Sequence, residues 1–526
     1  METLGKDFFG QAGWTHRGFP VQLGRGRNRT SSGGPLPERA RLGAPPNRKR
    51  WLSANTRLGL GLLLSLSVLA ACSGSGEPDP ARPNVVLVLV DDLGWMDLGC
   101  QGSSFYETPR IDALAADGTR FTQAYSNCPV CSPSRAALMS GQNPGRVGFT
   151  GHITAIGRHR YPEDGTIVPP NDFMHLRHEV VTLAEALREA GYISASIGKW
   201  HLGDEPYWPR AQGFDTNVAG HTHGSPSSYF FPYQKPEQTW NPDMPNLDLS
   251  ESAEGEYLTD RLTDEALAFI DANQHRQFFL YLSHYAVHTP LQAPQDLIGK
   301  YQAKIAAGAS GKSAVYAAMV ETVDHSVGRV LDKLQELEID ERTVIVIASD
   351  NGGLDSVTEN APLRAGKGHL YEGGIRVPLI VRWPGHTVPG GLVHEPVTNA
   401  DLYPFVTRLA GLDADRFPAP DGRDLGRLIE SGAWELRDLI WYYPHYSPQA
   451  RSPGAAILSG GYKLIEFYDP PSVELYHLDD DIGEERDLAA RMPRKAEELR
   501  SLLNTWIDEN VPIRHTSNRR DGDASL

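Results

Sequence analysis

Two pairs of acidic and amide residues stand far apart in the chain and could bind one metal ion. Asp91 and Asp92 form the first pair, and Asp350 and Asn351 form the second. Their side chains offer only oxygen ligands, which suit a hard cation such as Ca²⁺ or Mg²⁺ and do not suit Zn²⁺. Either pair alone is typical of a turn or a helix cap, so the prediction depends on the two occurring together. We predict a calcium site, with magnesium as the second choice.

Cys131 stands where a helix is predicted to begin and could carry a reactive group. It opens the run Cys131-Ser132-Pro133-Ser134-Arg135. Pro133 is typical of a helix start, where free backbone N–H groups and the positive end of the helix dipole favour an anionic oxygen. Cys128 and Cys131 also form a Cys-x-x-Cys pair. The sequence has no second pair to complete a zinc site, and Pro-Ser-Arg is not expected after a redox motif.

Four apolar, β-branched runs predict the buried strands that must position these residues. They cover 84–90, 192–197, 278–282 and 343–348, with helical segments between them. Polar residues follow each run: Asp91 and Asp92 the first, Lys199 and His201 the second, His284 and His288 the third, and Asp350 and Asn351 the fourth. Because open α/β sheets bind ligands beyond the carboxyl ends of their strands, one site could collect all of them.

The alternation of strands and helices predicts an α/β fold with a large, mostly parallel sheet flanked by helices. Thr182 and Glu185 form a capping box for a helix that Gly191 ends, and another helix begins at Thr108-Pro109 and ends at Gly118. After about residue 412 the alternation fades. Short strands are predicted within 439–478, and a final helix at about 493–508.

Three segments and one histidine resemble the sulfatase family. The run that begins at Cys131 resembles the first sulfatase signature, and 191–201 is similar to the second along its whole length. The segment 365–378 looks like the stretch that supplies a further substrate lysine, Lys367, and His288 matches the remaining family histidine. The resemblance covers nearly all of the chain from Asn84 onward. It implies an alkaline-phosphatase-like fold, with a smaller carboxyl-terminal antiparallel sheet and a packed helix.

The resemblance also implies a chemical group that the sequence does not encode. In this family a maturation enzyme oxidises the signature cysteine to formylglycine, whose aldehyde hydrate attacks sulfur. The implied metal ligands are Asp91, Asp92, Asp350, Asn351 and the formylglycine derived from Cys131. The implied catalytic residues are Cys131, Arg135, Lys199, His201, His288 and Lys367.

Each implied catalytic residue has a role in the family mechanism. Lys199 and Lys367 hold the sulfate and offset charge that develops during transfer. His288 protonates the departing alcohol, and His201 accepts the proton of the second hydroxyl of the hydrate. Arg135 either holds the sulfate with the lysines or anchors the nucleophile. His284 matches no family pattern and is left out of the catalytic set.

The amino-terminal segment looks like a bacterial lipoprotein signal. Basic residues precede the apolar run 58–71, and Cys72 and a Ser-Gly linker follow it. The run is too short to favour a permanent transmembrane helix, so we expect cleavage before Cys72 and lipidation there. Plain secretion with an unmodified Cys72 is the alternative. We expect a leader and signal peptide at 1–72, a linker at 73–82, a catalytic domain at 83–412 and a carboxyl-terminal subdomain at 413–526, in an exported periplasmic or cell-surface lipoprotein.

Composition limits the partners of the chain. Its 526 residues, 40% of them hydrophobic and 22% charged, are typical of a globular protein larger than one ordinary core. The formal charge is −16, although basic residues dominate the first 71 positions, so nucleic acid is not expected as a partner. An anionic substrate must therefore be captured by a local group of cations. Cys100 and Cys128 could form one disulfide, which their spacing alone does not establish.

These observations favour a lipid-anchored sulfatase that removes sulfate from a sulfated carbohydrate or aryl ester. One alternative is a formylglycine-dependent phosphonate monoester or phosphodiester hydrolase, and another is a non-catalytic glycan-binding lipoprotein in which Cys131 stays unconverted. Long Pro/Gly-rich connections at 148–177 and 203–255 predict the rim of a cleft. Rim residues such as His152 and the segment 221–226 either meet the substrate or belong to ordinary surface loops.

Overall fold

The computed structural model describes residues 82–518 except 154–161, 163, 234–248, 250–252, 414, 418 and 451. The predicted signal peptide, the lipidation site Cys72 and the start of the linker lie outside the described residues. The strands are β1 Asn84–Val90, β2 Thr119–Phe121, β3 Ala124–Tyr125, β4 Ile167–Val168, β5 Ile193–Gly198, β6 Thr216–Val218, β7 Phe278–His284, β8 Thr343–Ser349, β9 Leu379–Arg382, β10 Gly391–Val393, β11 Val397–Thr398, β12 Leu439–Tyr443, β13 Gly454–Ser459, β14 Tyr462–Tyr468, β15 Pro471–His477 and β16 Thr516–Ser517. The α-helices are α1 Pro109–Asp117, α2 Cys131–Ser140, α3 Pro144–Val147, α4 Leu183–Glu189, α5 Leu258–Asn273, α6 Gln295–Ala306, α7 Ala314–Glu336, α8 Glu372–Ile375, α9 Leu402–Leu409, α10 Leu425–Ser431 and α11 Pro493–Asn510.

The large sheet has eight strands in the order β10-β2-β9-β8-β1-β7-β5-β6. The strands β8, β1, β7, β5 and β6 are parallel to their neighbours within this group. At the other edge β9 pairs antiparallel with β8, and β2 pairs antiparallel with β9. The predicted α/β class with a large, mostly parallel sheet is confirmed.

Both faces of this sheet are covered by helices, which explains the continuous apolar run of β1. Val86 and Val88 belong to one hydrophobic cluster with side chains from α5 and α7, whereas Val85 and Leu87 belong to a second cluster with side chains from α2, α4 and α9. Successive side chains of a strand point to opposite faces, so a strand buried on both faces needs apolar residues throughout.

The smaller sheet has the antiparallel order β12-β13-β14-β15. One face packs with Tyr125 and Leu370 from the preceding part of the chain. The other face packs on α11 through Leu499, Leu503 and Ile507, which recur at helical spacing along one side. The antiparallel sheet with a packed helix is therefore confirmed.

Local sequence signals match the structure closely, whereas one suggested covalent link is not formed. Thr182 and Glu185 form both hydrogen bonds of the capping box at the start of α4. Cys100 and Cys128 are free thiols, so the disulfide considered between them is not present. Within the described residues, each helix is either too short or too polar for a membrane span.

Candidate active site

The carboxyl ends of four neighbouring parallel strands bring the ten predicted site residues together. Asp350 and Asn351 follow β8, Asp91 and Asp92 follow β1, His288 follows β7, and Lys199 and His201 follow β5. Cys131 and Arg135 come from the start of α2, and Lys367 comes from the loop before α8. The sheet order, rather than nearness in sequence, therefore builds this site.

Three carboxylates and one amide form the centre of the site, and all are buried. The backbone N–H of Asp92 donates to Oδ1 of Asp350 at 3.1 Å, and Nδ2 of Asn351 donates to Oδ1 of Asp92 at 2.8 Å. Among the described residues, Oδ1 of Asn351 is buried without a hydrogen-bond partner, and Oδ1 of Asp91 makes no hydrogen bond but lies 3.5 Å from Nη2 of Arg135. A buried acceptor without a hydrogen bond costs roughly 1–3 kcal/mol in stability, so these two oxygens are available to bind a further group such as a cation.

The electrostatics of the centre favour a cation. Burial raises the pKa of Asp91 to about 8, despite the opposing effect of Lys199. Burial also acts against ionisation of Asp350 and Asp92, but the nearby positive charges of Arg135 and Lys367 lower the pKa of these two carboxyls. A divalent ion beside Asp91 would offset the burial of its negative charge.

The donor set fits Ca²⁺ or Mg²⁺. The oxygens of Asp91, Asp92, Asp350 and Asn351 are hard donors, and Asn351 directs its N–H group to Asp92 and leaves its own oxygen available. These four residues would hold the ion.

Cys131 is the first residue of α2, and its thiol lies beside this centre. Nζ of Lys367 lies 3.3 Å from its Sγ atom and 2.8 Å from Oδ2 of Asp92. Burial raises the pKa of the Cys131 thiol to about 12, although Lys199 and Lys367 act in the opposite direction. The thiolate is the nucleophilic form of cysteine, so the encoded side chain is a poor nucleophile here.

Arg135 lies behind the metal-ligand group and is fully buried. Its Nε and Nη2 atoms both lie 2.8 Å from Oδ2 of Asp350. Its Nη1 atom donates to the backbone carbonyl of Lys199 at 3.0 Å and to Oγ of Ser283 at 2.7 Å. These bonds join the guanidinium to a metal-ligand candidate, Asp350, while sulfate contact and anchoring of the nucleophile stay the two sequence-based predictions for Arg135.

Lys199 reaches the opposite side of the acidic centre. Its Nζ atom lies 2.6 Å from Oδ2 of Asp91, and both side chains are fully buried. Together with Lys367, this places two ammonium groups at the centre, as the resemblance implied.

His201 is held in one tautomer. Its Nε2 atom lies 2.9 Å from the backbone carbonyl of Ile153, and because a carbonyl only accepts, Nε2 carries the hydrogen. Nδ1 therefore has a lone pair, and it is buried without a hydrogen-bond partner within the described part of the chain. Burial lowers the pKa of His201 well below its usual value, so the ring is neutral. The ring of His152 packs edge-on against it, with 5.4 Å between centroids.

His288 lies at the partly open side of the site, with 17% of its side chain exposed. Its Nδ1 atom lies 2.7 Å from the carbonyl of Thr289, and its Nε2 atom faces Oδ2 of Asp92 at 3.7 Å. Burial, with a contribution from Lys367, lowers the pKa of His288 to about 3. The Tyr229 hydroxyl lies 2.8 Å from the carbonyl of His288 and holds this loop in place.

Several contributors were not singled out in the sequence. Ser283, which receives a hydrogen bond from Arg135, is the first polar residue after the apolar run 278–282 of β7, and that position could have identified it. Tyr229 lies in the long rim segment and carries no comparable signal. His284, which the sequence analysis leaves out of the catalytic set, has its Nε2 atom 3.0 Å from Oγ of Ser326 in α7.

The segment 221–226 reaches the site at Gly224. A Cβ atom at this position would lie only 2.4 Å from Cε1 of His201, so the absence of a side chain lets the two pack together. Asp92 and His201 themselves adopt left-handed backbone conformations, with φ of 61° and 62°. Such a conformation costs roughly 1–2 kcal/mol for a residue with a side chain, so the site contains local strain that the surrounding fold sustains.

Comparisons with known proteins agree with this geometry. Residues 83–412 match the family described as Sulfatase, and residues 365–509 match the family described as N-sulphoglucosamine sulphohydrolase, C-terminal. The protein named Sulfatase from Formosa agariphila is 32% identical over 517 residues, which cover 85% of this chain and 92% of that protein. N-acetylgalactosamine-6-sulfatase from Homo sapiens is 36% identical over 391 residues, which cover 70% of this chain and 69% of that protein.

A solved structure shows the same architecture. The crystal structure of Ps i-CgsB in complex with k-i-k-neocarrahexaose superposes with a TM-score of 0.69 at 30% sequence identity, and the match covers 82% of this chain and 93% of that chain. The family match over most of the folded chain and the similarity to named sulfatases lead to one conclusion: the chain belongs to the sulfatase family and is a sulfatase enzyme.

Proposed function

We propose that this sulfatase removes sulfate from a sulfated carbohydrate through a formylglycine at position 131 and a bound Ca²⁺ ion. The observation that carries the proposal is the arrangement around Cys131. Its Sγ atom lies 3.3 Å from Nζ of Lys367, and one oxygen each of Asp91 and Asp350 lies within 4.8 Å of it. A reactive oxygen at this position would have a metal-binding group on one side and an ammonium group on another.

The state of the encoded thiol supports its conversion. Burial keeps the Cys131 thiol protonated, with a pKa of about 12, so direct attack by cysteine is disfavoured. An anionic oxygen at the start of α2 would instead be stabilised by the helix dipole and by Lys367. A formylglycine hydrate would place an oxygen here, and Ca²⁺ held by Asp91, Asp92, Asp350 and Asn351 would supply positive charge that lowers the pKa of that hydroxyl and offsets charge on the sulfate.

The remaining side chains bind the sulfate group or transfer protons. Lys367 already lies between Asp92 and position 131, so it can hold a sulfate oxygen and offset charge that develops during transfer. A bound sulfate also adds negative charge near His288, which raises the pKa of that imidazole and lets it carry the proton for the departing alcohol. Nδ1 of His201 is the available base for the proton of the group at position 131.

The carbohydrate assignment comes from the relatives. The human relative is named for a sulfated amino sugar, and the superposed crystal structure contains a neocarrahexaose. The formal charge of −16 gives this chain no long-range attraction for a sulfated polymer. Capture would therefore depend on short-range contacts in the cleft, where Lys199 and Lys367 lie.

The decisive experiment joins mass spectrometry with kinetics. The chain is produced together with a formylglycine-generating enzyme, and mass spectrometry determines the mass of the peptide that contains residue 131. Converted protein is then assayed on sulfated mono- and oligosaccharides, an aryl sulfate, a phosphodiester and a phosphonate monoester. We expect conversion at Cys131 and highest kcat/KM for a sulfated sugar. Cys131→Ala should be inactive, and Cys100→Ala, which removes another free thiol, should retain activity.

Two results would contradict the proposal. Preference for the phosphonate or phosphodiester would assign the chain to the alternative hydrolase class. Full activity of protein in which Cys131 remains a thiol would rule out the formylglycine mechanism, and a persistent thiol with glycan binding but no turnover would favour the binding protein.

We also propose that the chain is exported and carries a lipid at Cys72. The apolar run 58–71 directly before this cysteine supports the proposal. Amino-terminal sequencing and membrane fractionation of the native protein should find Cys72 blocked and the protein in the membrane fraction. A Cys72→Ala variant that remains in that fraction would contradict the lipid anchor.

A further inference from the structure

We propose that the unconverted thiol form of this enzyme has a second metal site, formed by Cys131, His152 and His201, that binds Zn²⁺. One potential ligand atom from each residue lies within 4.8 Å of the other two. The donor set is one sulfur and two imidazole nitrogens, which suit Zn²⁺, whereas the acidic centre offers oxygens that suit Ca²⁺. Two donor sets of different metal preference therefore meet at position 131.

The unpaired nitrogen of His201 gives independent support. This residue is 1% exposed, its Nε2–H group donates to the carbonyl of Ile153, and its Nδ1 atom has no hydrogen-bond partner among the residues that the structure describes. Metal-binding histidines commonly donate their other ring N–H to a carbonyl, which orients the ring and fixes the tautomer. The ring of His201 therefore has the hydrogen bond that is typical of a metal-binding histidine, with Nδ1 as the ligand atom.

His152 is fixed in place by its two neighbours. The backbone N–H of Gly151 donates to Oδ2 of Asp172 at 2.9 Å, and the backbone N–H of Ile153 donates to Oγ of Ser132 at 3.2 Å. This second bond ties the segment to the first turn of α2, next to Cys131. Because His152 is half-buried while Cys131 and His201 are buried, an ion would enter past His152.

A competing triad shares the same sulfur. Ligand atoms of Asp92, Cys131 and His288 also lie within 4.8 Å of one another. Asp92, however, already accepts hydrogen bonds from Lys367 and Asn351 and belongs to the calcium ligand set. The triad that contains His152 shares only position 131 with that ligand set.

Zinc binding replaces the thiol hydrogen. The S–H bond breaks, the sulfur electron pair forms the Zn–S bond, and one proton is released to solvent. The ammonium of Lys367, 3.3 Å from Sγ, opposes the ion, while Asp92 offsets that charge. Conversion to formylglycine removes the sulfur, so the site would exist only before maturation. The expectation that maturation removes the site rests on the proposed function. The donor set itself rests only on the encoded cysteine.

The test compares full-length thiol and converted protein, both saturated with Ca²⁺ and both verified by mass spectrometry. Zn²⁺ binding is measured by calorimetry, and Co²⁺ serves as a spectroscopic probe because a cobalt–thiolate bond produces a charge-transfer band. We expect tight binding and this band for the thiol form, and neither for the converted form. Cys131→Ser, His152→Ala and His152→Gln should each weaken binding at least about tenfold. His325→Ala, which removes an exposed histidine, is the matched control and should bind as the parent does.

Three outcomes would overturn the zinc site. The first is no cobalt–thiolate charge-transfer band in the thiol form, and the second is equal Zn²⁺ affinity of the thiol form and Cys131→Ser. The third is weaker Zn²⁺ binding in His288→Ala but not in the folded His152 variants. Circular dichroism establishes which variants are folded. Sulfatase activity of the converted protein is measured in parallel. Activity without zinc binding by the thiol form overturns only the zinc site, and zinc binding without activity in the converted form overturns only the proposed function.

Discussion

The Nζ atom of Lys367 bridges Oδ2 of Asp92 and Sγ of Cys131, at 2.8 Å and 3.3 Å. A single ammonium group thus contacts both a metal-ligand candidate and the residue that we propose to carry the nucleophile. Because the charge of the substrate must be offset where sulfur is attacked, we expect Lys367 to act in the transition state more than in ground-state binding.

Replacing Lys367 should therefore lower kcat. Loss of one preorganised charge-stabilising group commonly costs about 100- to 1,000-fold in rate, and we expect Lys367→Ala to fall in this range. Steady-state kinetics on converted protein measures the effect. Lys312→Ala, which removes a lysine that is 39% exposed, should keep parental kcat. A Lys367→Ala variant with unchanged kcat and raised KM would show that the residue only binds substrate.

Removing the Arg135 side chain should destabilise the fold. Asp350 would lose its buried partner, and leaving such a charge uncompensated costs about 3–5 kcal/mol. Urea unfolding of Arg135→Ala, monitored by circular dichroism, measures the change in free energy of unfolding. The matched control is Arg427→Ala, since Arg427 is 78% exposed and should contribute less than about 0.5 kcal/mol. Equal stability of the two variants would contradict an anchoring role for Arg135.

Removal of Ca²⁺ should lower both activity and stability. A ligand that binds only the folded state at a hundredfold excess over its Kd adds about 2.7 kcal/mol to the free energy of unfolding. We expect EGTA to abolish this increment and added Ca²⁺ to restore it. Asp91→Asn should make stability insensitive to Ca²⁺, because it removes a charged ligand whose Oδ1 atom has no hydrogen-bond partner. A full response of Asp91→Asn to Ca²⁺ would place the ion elsewhere.

The pH dependence of stability should depend on Glu484. This residue shares Lys463 with Glu372 in a fully buried group, and burial raises its pKa from 4.5 to about 7. A raised carboxyl pKa contributes stability that is complete below about pH 4.5 and is lost as pH rises through about 7. Wild type should therefore lose stability relative to Glu484→Gln between these two pH values, as measured by urea unfolding. Glu485→Gln, at the exposed neighbouring position, should show no such relative change.

The capping box at the start of α4 should contribute stability without affecting catalysis. Thr182→Ala removes the hydroxyl that accepts from the backbone N–H of Glu185 and donates to the backbone carbonyl of Gln212 at 2.7 Å, which should cost about 2 kcal/mol, about 1 kcal/mol for each hydrogen bond. Thermal unfolding checks this value, and kcat should stay unchanged because the helix start lies outside the site. Thr182→Ser retains the hydroxyl and should recover most of the loss. A loss of equal size in the serine variant would show that the methyl group, not the cap, matters.

Local patterns in the sequence predicted the fold well. The apolar run of β1 is continuous because both of its faces are buried, and the capping box at Thr182 operates within one helical turn. Where the pattern is not local, the sequence decided less: it left open whether Cys100 and Cys128 form a disulfide, and the fold leaves both as free thiols.

The sequence by itself determined which residue types could act at the site. The pairs at Asp91 and Asp350, the run that begins at Cys131 and the histidine at 288 were all identified without coordinates, because motifs carry residue identity and spacing. Only the tertiary structure decided which atoms face each other. It paired Arg135 with Asp350 and directed His284 toward α7. It also determined the tautomer of His201, through the hydrogen bond to the Ile153 carbonyl. Those relationships arise from the order in which distant strands pair, and residue spacing does not encode that order.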